Sequence, residues 1–277
     1  MYSVLDKDMI EMEIVPLIPK TKRGFAPTVP LVEIVNAILY KLKTGVQWNQ
    51  LPVKALFSGV SLSWQSVYHH YRKWCLSGTW KNCWIKFLEK HKAELDLSSI
   101  DLDGSHTPAI RGGKGVEYQG RKKRKTTNAL YLTDRQGLPL AMSEPVAGNH
   151  NDLYDIEVQF ELVTGTLEQA NIAVDGLFLN ADAGFDSKEF RKFCGKKNIN
   201  ANICFNKRYG NSDRDEYFDK ELYDERYAVE RTNAWMDSYR SLLNRFDTTI
   251  ESWKGFNYLA FMVIALKKFK KRRKKKV

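Results

Sequence analysis

The feature that most constrains this chain is a change of hydrophobic period near residue 97. Before it, apolar residues recur every three or four positions, as on one face of a helix. Leu31, Ile34, Val35, Ile38, Leu39 and Leu42 form one stripe that Gly45 ends. A second begins after Ser61 and Ser63, runs through Trp64, Val67, Tyr68, Tyr71 and Trp74, and stops at Gly78. A third carries Trp80, Trp84, Phe87 and Leu88. Three helices with short turns predict a compact all-α domain over 1–96, helix-turn-helix-like and suited to DNA. The aromatics read as its core. Arg72 and Lys73 lie on the polar side of the second helix and are its candidate DNA contacts, although spacing alone does not separate a groove-reading helix from a packing one.

From Ser98 the pattern alternates. Ser98–Ser105 (SSIDLDGS) reads as a half-buried strand, and 129–133 and 138–142 flank the turn-rich Asp134-Arg-Gln-Gly137 as a hairpin. A helix over 152–168, a strand over 176–181, a helix over 186–196 and a strand over 201–205 follow, implying parallel pairing and crossovers. Residues 206–219 read as a loop, followed by a long helix with Tyr227, Trp235, Leu242 and Leu243, and a final helix over 253–269 laid across the sheet. The expected fold is α/β: a ribonuclease-H-like mixed sheet with flanking helices over 97–270, preceded by the small helical domain and followed by a basic tail over 267–277.

Charge is distributed in blocks. The net charge is +11, yet the tail from Lys267 to Lys276 has nine basic residues and no acid, and 111–128 has seven basic residues against Glu117 alone. The remainder is mildly acidic, unlike a packaging protein, so the two runs point to a polyanionic partner. A hydrophobic content of 43% supports a packed core rather than a disordered polymer. Phe256–Leu266, the longest strongly apolar stretch, is shorter than the ~20 residues a bilayer needs, and the acidic start (Asp6, Asp8, Glu11, Glu13) is unlike a secretory signal. Cys75, Cys83, Cys194 and Cys204 make no Cys-x-x-Cys pair and read as reduced core residues. These features predict a cytoplasmic chain without a membrane partner.

Carboxylates at strand ends are the notable chemical groups. A pair of metal ions roughly 3.5–4 Å apart can activate an attacking oxygen and stabilise a leaving one in phosphodiester chemistry, and hard cations take carboxylate oxygens. Asp103 sits at the end of the first strand, between Leu102 and Gly104, and Asp182 ends the strand Leu177-Phe-Leu-Asn-Ala181, a neighbour in the proposed order. Glu230 is the third candidate, with Tyr223 and Arg226 seven and four positions before it on one helix face. Taken singly, a strand-end Asp is a turn residue and a helical Glu is solvated; the combination carries the argument. His106 and His150 read as loop hydrogen-bonders, adjacent His69 and His70 make a poor metal pair, and Trp253 reads as core or stacking platform.

At these residues the chain resembles the bacterial insertion-sequence transposases of the DDE type that carry a Tyr-x-x-Arg-x-x-x-Glu signature. The phrases that carry the resemblance are 34–52 (IVNAILYKLKTGVQWNQLP), Ser66–Trp74, Asp101-Leu-Asp-Gly-Ser105, Ala181-Asp-Ala-Gly-Phe-Asp186 and Tyr223-Asp-Glu-Arg-Tyr-Ala-Val-Glu230. Asn149 and Asp152, in Gly148-Asn-His-Asn-Asp152, resemble a family segment between the first two acids. The resemblance implies that Asp103, with Asp101 as fallback, Asp182 and Glu230 are catalytic and hold two Mg²⁺, with Mn²⁺ as an alternative. Spacings of 79 and 48 residues leave no large insertion before the glutamate. Where the family often has a Lys seven residues after the Glu, this chain has Asp237; Arg231 and Arg240 are the substitutes for its phosphate contact. Arg226 would clamp a phosphate with two fixed donors, assisted by Tyr223.

The implied activity is cleavage at element ends followed by attack of the freed 3′ hydroxyl on target DNA, by a homodimer or higher oligomer on double-stranded DNA with terminal inverted repeats. Arg121, Lys122, Lys123, Arg124 and Lys125, with the tail, would offset the acidic centre through phosphate contacts. The tail also admits a solubility or nuclear-localisation reading. Two rivals remain: a catalytically silent DNA-binding derivative, and a metal-dependent nuclease without strand transfer.

Overall fold

The computed structural model describes residues 3–20, 27–206 and 218–275. The helices of the first part are α1 (Lys7–Glu13), α2 (Leu31–Thr44), α3 (Val53–Leu56), α4 (Trp64–Leu76) and α5 (Thr79–His91). The three long ones fall where the apolar stripes place them. α2 ends at Gly45 in the left-handed conformation, its N–H bonded to the Lys41 carbonyl. α4 starts at Ser63, whose side chain accepts from the Ser66 N–H.

The second part begins with β1 (Ile100–Pro108), β2 (Glu117–Gln119), β3 (Arg124–Asp134), β4 (Pro139–Met142) and β5 (Val146–Ala147). It continues with α6 (Ile156–Gln169), β6 (Phe178–Ala181), α7 (Lys188–Lys196), β7 (Asn200–Ile203), α8 (Lys220–Asp224), α9 (Tyr227–Asp237), α10 (Arg240–Leu243) and α11 (Ile250–Lys275). The sheet order is β2-β3-β1-β6-β7, with β4 and β5 also on β3. β1 is antiparallel to β3 and parallel to β6, and β6 is parallel to β7. An N-terminal helical region thus precedes a mixed sheet with flanking helices. The expected hairpin is present as β3–β4. Most of the expected loop over 206–219 lies outside the described residues.

The chain forms two compact units, Met1–Phe87 with Met236–Val277, and Leu88–Trp235. The helical unit therefore includes α10 and α11, whereas the sequence reading laid the final helix across the sheet. The reason is that every residue from Phe256 to Leu266 except Asn257 is apolar and all are buried, and a helix apolar all round must be enclosed rather than laid on one surface. Within this unit α11 packs on α4, α2 and α10. Tyr71 stacks on Phe256 at 4.4 Å between centroids, and Trp84 meets Phe261 edge-on at 5.4 Å. Trp253 is fully buried, which settles it as core. α11 runs on to Lys275, so the basic tail is helical through its described length. Phe269 is buried against Phe87, and Lys270 pairs with Asp6.

Cys75, Cys83 and Cys194 are free and buried, and burial pushes each thiol up to about 12. Cys204 is free as well. Among the described residues no helix is long and apolar enough to cross a membrane.

Candidate active site

The site lies in the second unit where β6 stops beside β1. Register pairs Leu102 with Ala181, the last residue of β6, so Asp103 and Asp182 follow side by side at the same edge. Asp103 is not the end of its strand, as the sequence suggested: β1 continues to Pro108, paired with β3 alone. It follows the stretch that β1 shares with β6, which ends at Leu102. Asp182 caps the short turn of helix at 183–185, accepting from the Gly184 N–H at 2.8 Å.

A helix-side shell meets these strands. Asn233 on α9 donates its side-chain amide to Asp103 Oδ2 at 3.0 Å. Arg226 Nη1 stands 4.0 Å from Asp103 Oδ1, each side chain 18% exposed, and its guanidinium lies 5.6 Å from the Tyr223 ring centroid. Glu230 is exposed on the first turn of α9. Burial raises the Asp103 carboxyl to about 6, against the lowering influence of Arg226 and Asn233; the negative charges of Asp182 and Glu230 raise it further. The three acids therefore share one electrostatic neighbourhood. As they lie, no three His, Cys, Asp or Glu side chains among the described residues are grouped to hold a metal ion.

Tyr223, Arg226 and Glu230 do not share one continuous helix face, contrary to the spacing argument. α8 ends at Asp224 and α9 starts at Tyr227, and the junction is a tight turn in which the Arg226 N–H bonds to the Tyr223 carbonyl at 3.0 Å and the Val229 N–H to the Arg226 carbonyl at 3.0 Å. Glu225 in that turn is ion-paired with Arg135. Arg226 reaches Asp103 from the turn, not from a helix stripe.

Asp101, the fallback acid, is 1% exposed and accepts from Asn180 Nδ2 at 2.9 Å; burial raises its carboxyl to about 7. Asp152 accepts from Asn128 at 2.9 Å and lies against the α-carbon of Gly104, where an added Cβ would stand 2.1 Å from its Oδ1. Glycine after Asp103 is thus a packing requirement. His106 bonds Thr126 at 3.2 Å, as a loop histidine would, although it lies within β1.

The basic side chains divide. Arg121, Lys122, Lys123, Arg124 and Lys125 are all exposed around the β2–β3 turn, and Lys122 donates to the His106 carbonyl at 3.2 Å. Arg231 is exposed, donates to the Gln136 carbonyl at 3.3 Å and lies over Tyr227. Arg72, in the helical unit, donates to Thr249 Oγ1 and Ser252 Oγ at 3.1 and 3.0 Å; that ties its guanidinium to the start of α11. Lys73 is exposed. Arg240 belongs to the helical unit, where a Cβ added at Gly45 would stand 2.8 Å from its Cβ. The sequence reading missed Asn233, whose signal was its position three residues after Glu230, one turn along the same face.

Residues 12–84 match the family model "Putative transposase of IS4/5 family", and residues 179–267 match the model "Transposase DDE domain". The chain thus carries a segment similar to the DDE transposase domain. The second match includes Asp182 and Glu230. Two solved structures align with the chain: the Mos1 transposase paired-end complex with left transposon end and the Mos1 mariner paired end complex with Mn. They cover 90% and 94% of this chain and 81% and 84% of their own, at 12% and 11% identity and a TM-score of 0.29 in each case. No curated protein matches the chain.

Proposed function

We propose that this protein is a DNA transposase that cleaves element ends and joins the freed 3′ hydroxyl to target DNA, using Asp103, Asp182 and Glu230 on a ribonuclease-H-like core. The observation that carries the reading is the adjacency of Asp103 and Asp182 at one sheet edge, with Glu230 close enough to raise the Asp103 carboxyl, in a chain with a DDE-domain match. The donor set fits a hard divalent cation in kind: it consists of carboxylate oxygens whose mutual repulsion a cation relieves. Asp103, Asp182 and Glu230 would hold two Mg²⁺ or Mn²⁺, which supply activation of the attacking oxygen and stabilisation of the leaving one.

The chain's own groups do the rest. Asn233 orients the Asp103 carboxylate by its amide. Arg226, with a buried Nη1 that makes no hydrogen bond in this structure, has donors to offer a phosphate, and Tyr223 beside it adds a hydroxyl. The exposed 121–125 turn and the basic end of α11 bind phosphates without specifying sequence. The segment 1–96 is assigned to DNA binding, and assembly on paired ends to a homodimer or higher oligomer.

The test is a cleavage and joining assay with Mg²⁺ on DNA bearing the inverted repeats that flank the gene. Wild type cuts and joins; Asp103→Asn binds the DNA and does neither. Cleavage retained by that variant defeats the assignment. That no three His, Cys, Asp or Glu side chains among the described residues are grouped to hold a metal ion supports, as a second reading, a catalytically silent DNA-binding protein, for which wild type binds the ends and cuts nothing.

A further inference from the structure

Three adjacent parallel strands carry a polar residue at the same level: Asp101 on β1 pairs with Asn180 on β6, which pairs with Asn202 on β7. None is more than 1% exposed. Buried parallel strands normally present apolar side chains on both faces, and a buried amide or carboxyl is costly unless hydrogen-bonded. Here the bonds form a continuous ladder. Asn180 Nδ2 donates to Asp101 Oδ1 at 2.9 Å, and Asn202 Nδ2 donates to Asn180 Oδ1 at 2.8 Å. The Asp219 N–H donates to Asn202 Oδ1 at 2.8 Å, while Asn202 Nδ2 also donates to the Asp219 carbonyl at 2.9 Å. Asp219 then caps α8, accepting from the Leu222 N–H at 2.9 Å, and Asn180 Nδ2 reaches the Leu222 carbonyl at 3.3 Å.

We propose that this ladder, with Asn180, Asn202 and Asp219 as positioning residues, seats the α8–α9 turn so that Tyr223 and Arg226 stand beside Asp103. α8 has no buried residue; the Tyr223 ring meets Phe218, which meets Phe205, and the bonds to Asp219 and Leu222 add the directional part of its attachment. An amide pair fixes both direction and register, because each bond needs its own donor and acceptor.

The proposal rests on the reading of Asp103 as part of a DNA-cleaving centre, so its test has a readout that does not. In Asn202→Ala, hydrogen exchange of the DNA-free protein is expected to show the Asp219 and Leu222 amides losing at least about tenfold in protection while β1 and β3 amides keep theirs. Cleavage at saturating DNA and Mg²⁺ is expected to slow by about 10- to 100-fold, the scale of a misplaced positioning group, with KM for DNA changed by less than about threefold. Asp219→Ala, at a half-buried position outside the strands, keeps the backbone bonds to Asn202 and removes only the cap on Leu222, so if Asn202→Ala does not fold the expected loss of protection is at the Leu222 amide, with the same slowing of cleavage. Asp219→Asn, whose amide oxygen can still accept from Leu222, restores both readouts. Unchanged protection in Asp219→Ala, or lost protection with unchanged cleavage, overturns the proposal. Cleavage retained by Asp103→Asn defeats the functional reading instead and leaves the exchange result standing.

Discussion

Replacing Gly104 with Ala adds one methyl group at the point where β1 passes Asp152. The new Cβ would lie 2.1, 2.3 and 2.8 Å from Asp152 Oδ1, Cγ and Oδ2, distances at which the carboxylate must move. Gly104 has no positive φ, so the effect is steric rather than conformational. Overpacking of this kind costs about 1–3 kcal/mol. Moving Asp152 also breaks its 2.9 Å bond from Asn128 Nδ2. Asn128 is 1% exposed and its Oδ1 already has no partner, so leaving its amide with only the 3.5 Å bond to the His150 carbonyl adds about 1–3 kcal/mol. The combined loss is about 2–6 kcal/mol, which for a unit of this size lowers Tm by roughly 5–20 °C. Thermal unfolding of wild type, Gly104→Ala, Asp152→Ala and the double variant forms a cycle in which the second substitution relieves the clash. The expected coupling is at least about 1 kcal/mol in the direction of rescue. A Gly104→Ala protein with wild-type Tm, or one whose loss is the same with and without Asp152, refutes the steric account.

Two further outcomes follow from the charges. Lys271, Arg273 and Lys274 are exposed on the last described turns of α11; converting all three to Gln should lower the slope of log affinity against log salt by up to about 0.9 for each phosphate they had neutralised, and an unchanged slope shows that these side chains do not touch DNA. Asp101 and Asp103 have carboxyls raised to about 7 and about 6 from an ordinary 3.8. The native protein therefore holds more protons than the unfolded chain between pH 3.8 and 7, and their contribution to stability declines as pH rises through that window. In metal-free buffer the urea midpoint of wild type should fall, relative to Asp101→Asn, between pH 4 and 7.5; a difference that does not change with pH contradicts those shifts.

The helical stripes of α2, α4 and α5, their stops at Gly45 and Gly78, and the β3–β4 hairpin were readable because short-range periodicity and turn chemistry determine them. Asp182 was readable as an acid closing an apolar strand, whereas Asp103 was singled out on the same ground although β1 runs on to Pro108. What the sequence concealed is long-range. The break between α8 and α9 and the bonds that tie Asp219 to Asn202 on β7 are not registered by helix spacing. Arg72 resembles a surface cation until Thr249 and Ser252 are brought to it. α11 was assigned to the sheet from the order of elements, which does not register that Phe256–Leu266 is buried all round.

The central claim is that Asp103, Asp182 and Glu230 form one cation-binding centre that acts on DNA. Its most direct test is a Mn²⁺ titration followed by electron paramagnetic resonance on the folded protein in the presence of uncleaved end DNA, for wild type and for Asp103→Asn, Asp182→Asn and Glu230→Gln. The account predicts saturable Mn²⁺ binding by wild type that each of the three substitutions weakens by at least about tenfold, the scale of removing one interaction worth about 1.4 kcal/mol. Equal Mn²⁺ binding by wild type and any one of the three variants contradicts it.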